Sequence, residues 1–599
     1  MIKFEKKYSN KEIAFLLRKI AASYLLTNEN HFKIIAYQKA ADIIENLSRN
    51  LFDLWQEGKL GIISGIGKGL ASHLDEYFRK GYSTHFENIL KKIPPPVFIL
   101  MQIPTIGPKK AFKLVKHLKL FDEKNVVSDL KKACLEGKVK EIENFGEKSQ
   151  EEILNAINLF EKRINNKERM PLPYAFLLAK ELIDYLKKNS LVLEAEALGS
   201  LRRKSPTIGD IDVLVKVKTQ KTKVKSYKNL IDYFTKFPKV IKVDNAGQKK
   251  ASIIVAPNIQ VDFRLCEEKG YGAMLQYFTG SRNHNIKLRE YGLKNGYSLS
   301  EYGIKDLKTN QLFEFEKEED FYQFLDLEYI PPELREGNDE IEVAARRQLP
   351  KLIEVSQIKG DLHIHSSFNL HPSHDLGSAS YFEIINFAKK LGYSYVGFAD
   401  HNPKFSGDLS KKKIIEILKK RKKFITDSVK KNNLKYFIGL EVDILPDGRL
   451  ALPEEAFFYV DYLIVAVHSV FYQDKKTMTK RILRALDFPK VKILAHPTGR
   501  LLGKREEIDV FWEKVFAKAQ KKNIALEINA WPLRLDLPDT LVRQAKDFGV
   551  KFIINTDAHS LKEMEGIFYG VSVARRGWLE KKNVLNTLEY NEFNKWIKG

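Results

Sequence analysis

The sequence predicts a multidomain protein with a helical N-terminal region, a central α+β region and a C-terminal barrel in which strands and helices alternate. Three observations predict it. Up to about residue 165, apolar residues recur at helical spacing and short glycine turns separate the helices. Residues 170–265 mix strand-like and helical patterns. After residue 358, apolar runs typical of parallel strands buried on both faces alternate with helical stretches.

Length and charge restrict the class of protein. At 599 residues the chain exceeds one hydrophobic core, and 44% of its residues are apolar, enough to bury several cores. Lys and Arg number 101 against 77 Asp and Glu, a net charge of +24 that favours a polyanionic partner such as nucleic acid. The two cysteines provide no disulfide framework or thiolate metal site. Since we find no signal peptide and no membrane-spanning run, we expect a cytoplasmic protein without membrane association.

The N-terminal region, which we divide into domains at 1–90 and 91–165, carries three glycine turns between predicted helices. Each turn resembles a helix-hairpin-helix. In such a turn glycine lets the backbone approach closely, and the N–H groups that begin the next helix can hold a phosphate oxygen without reading a base. Three such turns in a basic region indicate binding to the DNA backbone. The candidate contacts are Gly65, Gly67, Lys68, Gly107, Lys109, Gly146 and Lys148.

Three carboxylates in the region 166–265 point to a two-metal site. Asp210 and Asp212 stand at the head of an apolar strand, and because strand side chains alternate, both lie on one face. Two close carboxylates repel each other unless cations lie between them, and a pair of divalent ions is what in-line phosphoryl transfer uses. Asp262, in a second strand-like run over residues 253–263 that a turn at Pro257 and Asn258 folds into a hairpin, completes the site.

Residues that suit a phosphate group precede these acids. Gly199 and Ser200 provide an unhindered backbone and a hydroxyl, and Arg202 and Arg203 provide guanidinium forks. A smaller mixed domain follows at 266–331, and the prolines and charges of 332–357 predict a linker.

The C-terminal region, 358–599, predicts a second metal centre. Seven apolar runs end in metal-capable residues, and in barrels of this kind reactive groups gather at the C-terminal ends of the strands. Nitrogen and carboxylate ligands without thiolate suit zinc, manganese or iron(II). We expect about three ions and phosphoester hydrolysis, with nine ligands: His363, His365, Asp375, His401, Glu441, His468, His496, Asp557 and His559.

Together these motifs resemble a bacterial or archaeal family X DNA polymerase with a C-terminal PHP (polymerase and histidinol phosphatase) domain, and the resemblance covers essentially the whole chain. It implies a nucleotidyltransferase palm, a small thumb-like domain for nucleotide selection and a seven-stranded distorted barrel with 3'-5' exonuclease activity. The three catalytic aspartates would bind Mg²⁺ or Mn²⁺. Residues implied at the nucleotide are Gly199, Ser200, Arg203, Gly209, Tyr277, Phe278, Gly280 and Asn285, and Arg289 would contact the template strand.

The chain departs from the family pattern in two places. In the first domain, His73 stands where members that excise a deoxyribose phosphate place their imine-forming lysine, and Gly69 where a phosphate-binding lysine would lie. Lys33 and Tyr37 still match the pocket for a 5'-phosphate. In the barrel, a longer segment over residues 366–374 moves the expected aspartate ligand to Asp375 and leaves His371 and His374 as competing candidates.

We therefore predict a monomeric, template-directed DNA polymerase that fills short gaps during base excision repair and also degrades DNA from a 3' end. Its partners would be gapped or primed duplex DNA and deoxynucleoside triphosphates. One alternative is a terminal or tRNA-type nucleotidyltransferase, which lacks the segment over residues 277–281 and the paired hairpin turns. The other is a DNA-end binding protein whose only chemistry is the PHP phosphoesterase, against which the three aspartates argue.

Overall fold

The computed structural model describes residues 10–45, 51–56, 58, 60–63, 66–103, 105–123, 125–165, 169–218, 223–256, 258–404, 410–430 and 432–599. The chain divides into two compact units, residues 1–168 and 169–599. Within the described ranges, no helix combines the length and apolar character needed to cross a bilayer.

The first unit is helical, as predicted. Its buried apolar residues form two clusters, one between Ile13 and Ile89 and the other between Ile93 and Ile157. Gly67 and Gly107 each stand immediately before a helix, and Gly146 precedes the last one. The helices are α1 (Asn10–Leu26), α2 (His31–Glu45), α3 (Leu51–Gln56), α4 (Lys68–Lys80), α5 (Thr84–Leu90), α6 (Pro95–Leu100), α7 (Pro108–Leu118), α8 (Val126–Leu135) and α9 (Glu147–Asn165).

The second unit begins with a mixed five-stranded sheet in the order β2-β4-β7-β6-β5. β4 runs parallel to β7, and β6 and β7 form the predicted hairpin, with Asn258 at its turn. A two-stranded ladder of β1 and β3 accompanies the sheet. The elements are β1 (Met170–Pro171), α10 (Leu172–Leu186), β2 (Val192–Ala197), α11 (Gly199–Arg202), β3 (Thr207–Ile208), β4 (Ile211–Val217), α12 (Lys223–Phe234), β5 (Val240–Ala246), β6 (Lys250–Val255) and β7 (Ile259–Glu267).

A small domain with its own apolar cluster follows. Its three strands form an antiparallel sheet in the order β10-β9-β8. The elements are α13 (Tyr271–Thr279), α14 (Arg282–Lys294), β8 (Tyr297–Ser300), β9 (Gly303–Asp306), β10 (Leu312–Phe313) and α15 (Glu318–Phe324).

Residues 332–357, for which the sequence predicts a linker, are packed against both neighbouring domains. The segment contains α16 (Glu340–Ala345), and Ile341 and Ala344 are buried in the same cluster as Phe321 of the small domain and Trp578 of the C-terminal domain. Arg335 is fully buried and pairs with Glu318. This segment is therefore a structured connection, because Ile341, Ala344 and Arg335 find partners distant in sequence.

The C-terminal domain is a barrel of seven parallel strands in chain order, which confirms the predicted fold class. A parallel bridge between Ile364 and Ala558 joins the first strand to the chain that follows the last. The strands are β11 (Gly360–Ile364), β12 (Tyr395–Phe398), β13 (Lys435–Asp443), β14 (Tyr462–Ala466), β15 (Val491–Leu494), β16 (Ala525–Asn529) and β17 (Phe552–Asn555). The helices are α17 (Tyr381–Lys390), α18 (Lys411–Val429), α19 (Lys475–Ala485), α20 (Trp512–Lys522), α21 (Asp539–Asp547), α22 (Ile567–Arg576) and α23 (Tyr590–Lys598).

Two strand glycines make room for one tyrosine ring among these strands. A Cβ on Gly397 would lie 2.2 Å from the Tyr462 hydroxyl, and one on Gly439 would lie 2.3 Å from Tyr462 Cζ. The hydroxyl donates a hydrogen bond of 2.5 Å to the Leu362 carbonyl. Glycine is therefore required at both positions because the ring occupies the space of a side chain.

We expect Gly439→Ala to lower the free energy of unfolding by about 1–3 kcal/mol, the usual cost of overpacking a core. Urea denaturation of the variant and its parent measures this difference. Tyr462→Leu removes the ring atoms that the new methyl group meets, so the alanine should cost clearly less in a Tyr462→Leu background. An equal cost in both backgrounds would rule out the ring as the cause.

Candidate active sites

The three predicted catalytic aspartates lie together at one end of the five-stranded sheet. β4 and β7 pair in parallel with Asp212 directly opposite Asp262. Asp210 stands just before β4, exposed, and two positions from Asp212, so strand alternation places both on one face. Asp212 and Asp262 are half-buried. The register of β4 and β7 therefore brings the three carboxylates to the same end of the sheet, as the sequence predicts.

Two neighbouring side chains hold Asp262. The Ser252 hydroxyl on β6 donates to its Oδ1, and the Gln260 amide donates to both carboxylate oxygens at 3.0 Å. These donors restrict the rotation of the carboxylate. Sequence reasoning missed both residues. Gln260 could have been found from the sequence, because it lies two positions before Asp262 and therefore on the same face of the strand. Ser252 could not, because its place beside Asp262 follows from the register of β6 and β7.

A glycine lets the backbone approach these acids. Gly199 begins α11 with φ +57°, and a Cβ there would lie 2.9 Å from Asp212 Oδ2. The Leu198 amide donates to the Asp212 carbonyl at 2.8 Å. Ser200 follows on α11, half-buried, and Gly209 is exposed just before Asp210. The predicted phosphate-binding backbone thus adjoins Asp212.

Arg203 is held by the small domain and by the connecting segment 332–357. Its Nη1 donates to the Thr279 carbonyl at 2.6 Å and its Nε to Glu336 Oε1 at 3.1 Å. Its neighbour Arg202 points elsewhere and forms a bidentate pair with the buried Glu318 at 3.0 and 2.8 Å. Of the two arginines in the motif, Arg203 has its guanidinium beside Gly280, whose Cβ would lie 3.2 Å from Nη1.

The remaining predicted nucleotide and template residues lie on α13 and α14. Tyr277 and Phe278 occupy the last turn of α13, where the Phe278 ring stacks 4.1 Å from the Arg264 guanidinium. Asn285 donates to the Tyr277 carbonyl at 2.7 Å, and Arg289 Nε donates to the Asn285 carbonyl at 3.1 Å.

In the first unit, the residues predicted for the 5'-phosphate surround Tyr24. Lys33 Nζ lies 5.6 Å from the centroid of the Tyr24 ring, and Tyr37 meets that ring edge-on at 5.5 Å. The Tyr24 hydroxyl is 2.9 Å from His85 Nε2, and His85 stacks on His73 with ring centroids 4.0 Å apart. Lys33, Tyr37 and His73 therefore share one neighbourhood.

The three glycine turns predicted to bind the DNA backbone lie in the same unit. Lys68 begins α4, Lys109 lies in the first turn of α7 and Lys148 in the first turn of α9. Gly65 lies outside the described residues.

In the barrel, the nine predicted ligands come together, eight of them at or near the C-terminal ends of the strands and Asp375 in the segment before α17. Glu441 is at the centre: its carboxylate oxygens lie 2.9 Å from His401, 3.0 Å from His496 and 3.2 Å from His363. The same carboxylate is 3.3 Å from His468 and 3.6 Å from His365.

The other ligands complete the cluster from β17 and from the segment before α17. Asp557 is 3.1 Å from His365 and 3.5 Å from His363. The His559 ring stacks on His365 at 4.0 Å. Asp375 is exposed and lies 3.5 Å from His401 and 3.6 Å from His559. The cluster lines a cleft of about 240 Å³ that Trp531 and Arg534 also border.

The donor set suits divalent cations. Within the described chain, several buried nitrogen and oxygen atoms of the cluster residues have no hydrogen-bond partner: His363 Nε2, His365 Nδ1, His401 Nδ1, Glu441 Oε2, His496 Nδ1 and His559 Nε2. Buried polar atoms without partners are costly, and a shared cation satisfies them. The ligand atoms form four overlapping groups, and within each group all atoms lie within 4.8 Å of one another. This arrangement is consistent with more than one ion.

Burial and charge set the protonation of the cluster. Burial lowers the pKa of His365 to about 3 and that of His496 to about 4, so both imidazoles are neutral, as a metal ligand must be. Burial also lowers the pKa of His401, but Glu441 and Asp375 outweigh it and raise that pKa to about 10. The histidines hold the pKa of Glu441 well below its ordinary range against the effect of burial.

Sequence reasoning missed two carboxylates that orient these ligands. Glu527 accepts from His363 Nδ1 at 2.7 Å, which leaves Nε2 to face the cluster. Asp443 accepts from His468 Nδ1 at 2.7 Å and from His374 Nε2 at 3.0 Å. Of the two competing histidines, His374 thus borders the cluster through Asp443, whereas His371 is exposed and its amide bonds to Asn369.

The fold and these clusters define a nucleotidyltransferase domain joined to a metal-dependent phosphoesterase barrel. Models of three families match the chain: a helix-hairpin-helix domain over residues 8–83, the DNA polymerase beta thumb over 274–336 and the PHP domain over 361–530. The DNA polymerase/3'-5' exonuclease PolX of Bacillus subtilis (strain 168) is 35% identical over 98% of this chain and 99% of its own. The chain therefore belongs to the family X DNA polymerases that carry a PHP domain.

Two further relatives each match about a third of the chain. A probable phosphatase of Thermoanaerobacter sp. (strain X514) is 26% identical over 33% of this chain and 80% of its own. The repair DNA polymerase X of African swine fever virus (isolate Tick/South Africa/Pretoriuskop Pr4/1996) is 29% identical over 29% of this chain and 95% of its own.

Proposed function

We propose that this chain is a template-directed DNA polymerase that fills short gaps in cytoplasmic DNA repair and that its PHP barrel is a 3'-5' exonuclease. The observation that carries the proposal is the pairing of Asp212 with Asp262 across β4 and β7, with Asp210 on the same face. Three carboxylates in that arrangement suit two divalent cations, Mg²⁺ or Mn²⁺, which activate the attacking hydroxyl and stabilise the leaving oxygens when bound.

The chain's own residues position the reactants of synthesis. Asp262, fixed by Ser252 and Gln260, orients the primer 3'-hydroxyl or takes its proton. Ser200 and Arg203 hold the triphosphate, since a hydroxyl and a guanidinium suit phosphate oxygens. Tyr277 and Phe278 pack against the nucleotide sugar, Asn285 bonds in the minor groove and Arg289 contacts the template.

In the barrel, His363, His365, Asp375, His401, Glu441, His468, His496, Asp557 and His559 would hold about three cations, of Zn²⁺, Mn²⁺ or Fe²⁺. Such ions polarise a phosphodiester and a water for hydrolysis. Glu527 and Asp443 orient two of the histidines. Arg534, at the edge of the cleft and 3.7 Å from Asp557, provides a positive charge for the DNA backbone.

Primer extension on a gapped duplex, and on the same primer without a template strand, tests the proposal. We expect incorporation of the complementary nucleotide only when template is present. Template-independent addition would instead identify a terminal-type nucleotidyltransferase. No addition under either condition, together with 3' degradation, would identify a DNA-end binding phosphoesterase.

The first domain should bind a 5'-phosphate without forming an imine. An imine requires an amine that attacks the sugar aldehyde, and the imidazole of His73 forms no stable imine. We therefore expect sodium borohydride to trap little covalent complex on DNA with a 5'-deoxyribose phosphate end. Lys33 and Tyr37 should still make a gapped duplex with a 5'-phosphate bind more tightly than one without it.

Lys68, five residues before His73 on α4, is the control for this prediction. Efficient trapping that disappears in Lys68→Ala would show that Lys68 provides the amine. Efficient trapping that persists in Lys68→Ala would refute this interpretation of the first domain.

A further inference from the structure

Glu336, in the segment that connects the small domain to the barrel, receives two guanidinium groups from different domains. Its Oε1 accepts from Arg203 Nε at 3.1 Å and from Arg576 Nη1, on barrel helix α22, at 2.7 Å. Arg576 Nη1 also donates to the Arg203 carbonyl at 2.9 Å. Arg576 therefore contacts Arg203 twice, through its backbone and through their shared carboxylate.

This contact is well buried. The Arg576 side chain is 7% exposed and that of Arg203 13%, while Glu336 is 30% exposed. Arg576 is itself anchored within the barrel domain, since its Nη2 pairs with Asp539 at 2.7 Å. A carboxylate shared by two desolvated guanidinium groups is held more rigidly than an exposed ion pair, because charge-assisted hydrogen bonds strengthen away from water.

The geometry leaves one face of Arg203 free for an anion. A guanidinium has five N–H donors; Glu336 takes Nε–H and the Thr279 carbonyl takes one on Nη1. The remaining three N–H groups, one on Nη1 and two on Nη2, have no acceptor within the described chain. If Arg576 were absent, the Glu336 carboxylate could rotate, and the remaining donors of Arg203 would lose their fixed orientation.

We propose that Arg576 of the PHP barrel is a positioning residue for the polymerase site: by sharing Glu336 it orients Arg203 toward the nucleotide triphosphate. This inference rests on the proposed role of Arg203. It makes nucleotide binding in one catalytic domain depend on a side chain of the other.

The adjacent residue provides a matched control. Arg575, also on α22, pairs with Glu333 at 2.9 Å and donates to the Ile353 carbonyl at 3.0 Å. It joins the same helix to the same connecting segment. Arg575→Met therefore weakens the same interface and leaves the contacts of Arg203 unchanged.

Steady-state single-nucleotide incorporation into a gapped duplex, with the full-length chain, tests the proposal. We expect Arg576→Met to raise the KM for the complementary deoxynucleoside triphosphate about tenfold, roughly the effect of one charge-assisted hydrogen bond, with a smaller change in kcat. Arg575→Met should leave KM near that of the parent. In Arg576→Met, the Kd of the same nucleotide for a complex with a dideoxy-terminated primer should rise by about the same factor as KM. Degradation in the 3'-5' direction should persist in both variants.

Three outcomes separate the possibilities. Equal KM increases in Arg575→Met and Arg576→Met would show a general effect of the interface and overturn the proposal, as would an unchanged KM in Arg576→Met. Glu336→Gln, which keeps the fold but weakens both contacts, should raise KM in the same direction and provides a second variant if Arg576→Met fails to fold. Arg203→Ala is measured alongside: an unchanged KM there would instead refute the proposed triphosphate site.

Discussion

Asp262→Ala is expected to abolish nucleotide incorporation and to leave DNA binding and 3'-5' degradation nearly intact. Asp262 lies opposite Asp212 in the β4–β7 register, and two divalent ions cannot be held once this carboxylate is neutralised. We expect the incorporation rate to fall by roughly a thousandfold or more, the upper range for loss of one electrostatic stabiliser. Single-turnover primer extension measures the rate, and a mobility shift with the same DNA measures binding.

Asp244→Ala is the matched control for this variant. Asp244 lies on β5 of the same sheet, where its carboxylate forms an ion pair with Lys242. It removes a carboxylate from the same domain and should leave extension unchanged. If Asp262→Ala extends a primer as fast as its parent, the assignment of the three aspartates is wrong.

The sequence predicted those features that depend on local periodicity. All seven barrel strands were found because parallel strands buried on both faces read as continuous apolar runs, and their ends place Glu441 and Asp557. The same rule could have found Asp443, which lies two residues after Glu441 as His365 does after His363. Glu527 lies in the middle of β16, and only its contact with His363 shows that it orients a ligand.

Features that depend on contacts between distant segments could not be predicted. The pairing of Arg335 with Glu318 makes part of a polar, proline-containing stretch into packed structure. Composition indicates a linker because it counts polar residues without their partners. The contact between Arg203 and Arg576, 373 positions apart, likewise follows only from the packing of α22 against the connecting segment.

His363→Ala and Asp557→Ala are expected to remove manganese-stimulated 3'-5' degradation while gap filling survives. Each side chain lies in the buried group that also includes His365 and Glu441, and its loss removes a ligand that neighbouring ions would share. Metal content of the purified protein should therefore fall together with the exonuclease rate. Synthesis should persist because the three aspartates belong to a different sheet.

The matched control is His371→Asn, because His371 is an exposed histidine of the segment that also bears His374 and Asp375. Its φ of +52° is in the left-handed region, which asparagine tolerates, so the variant removes an imidazole without straining the backbone. Metal content and 3'-5' degradation should match the parent. Unchanged metal stoichiometry in both His363→Ala and Asp557→Ala would count against nine shared ligands. Loss of metal in His371→Asn would show that His371 itself contributes to metal binding.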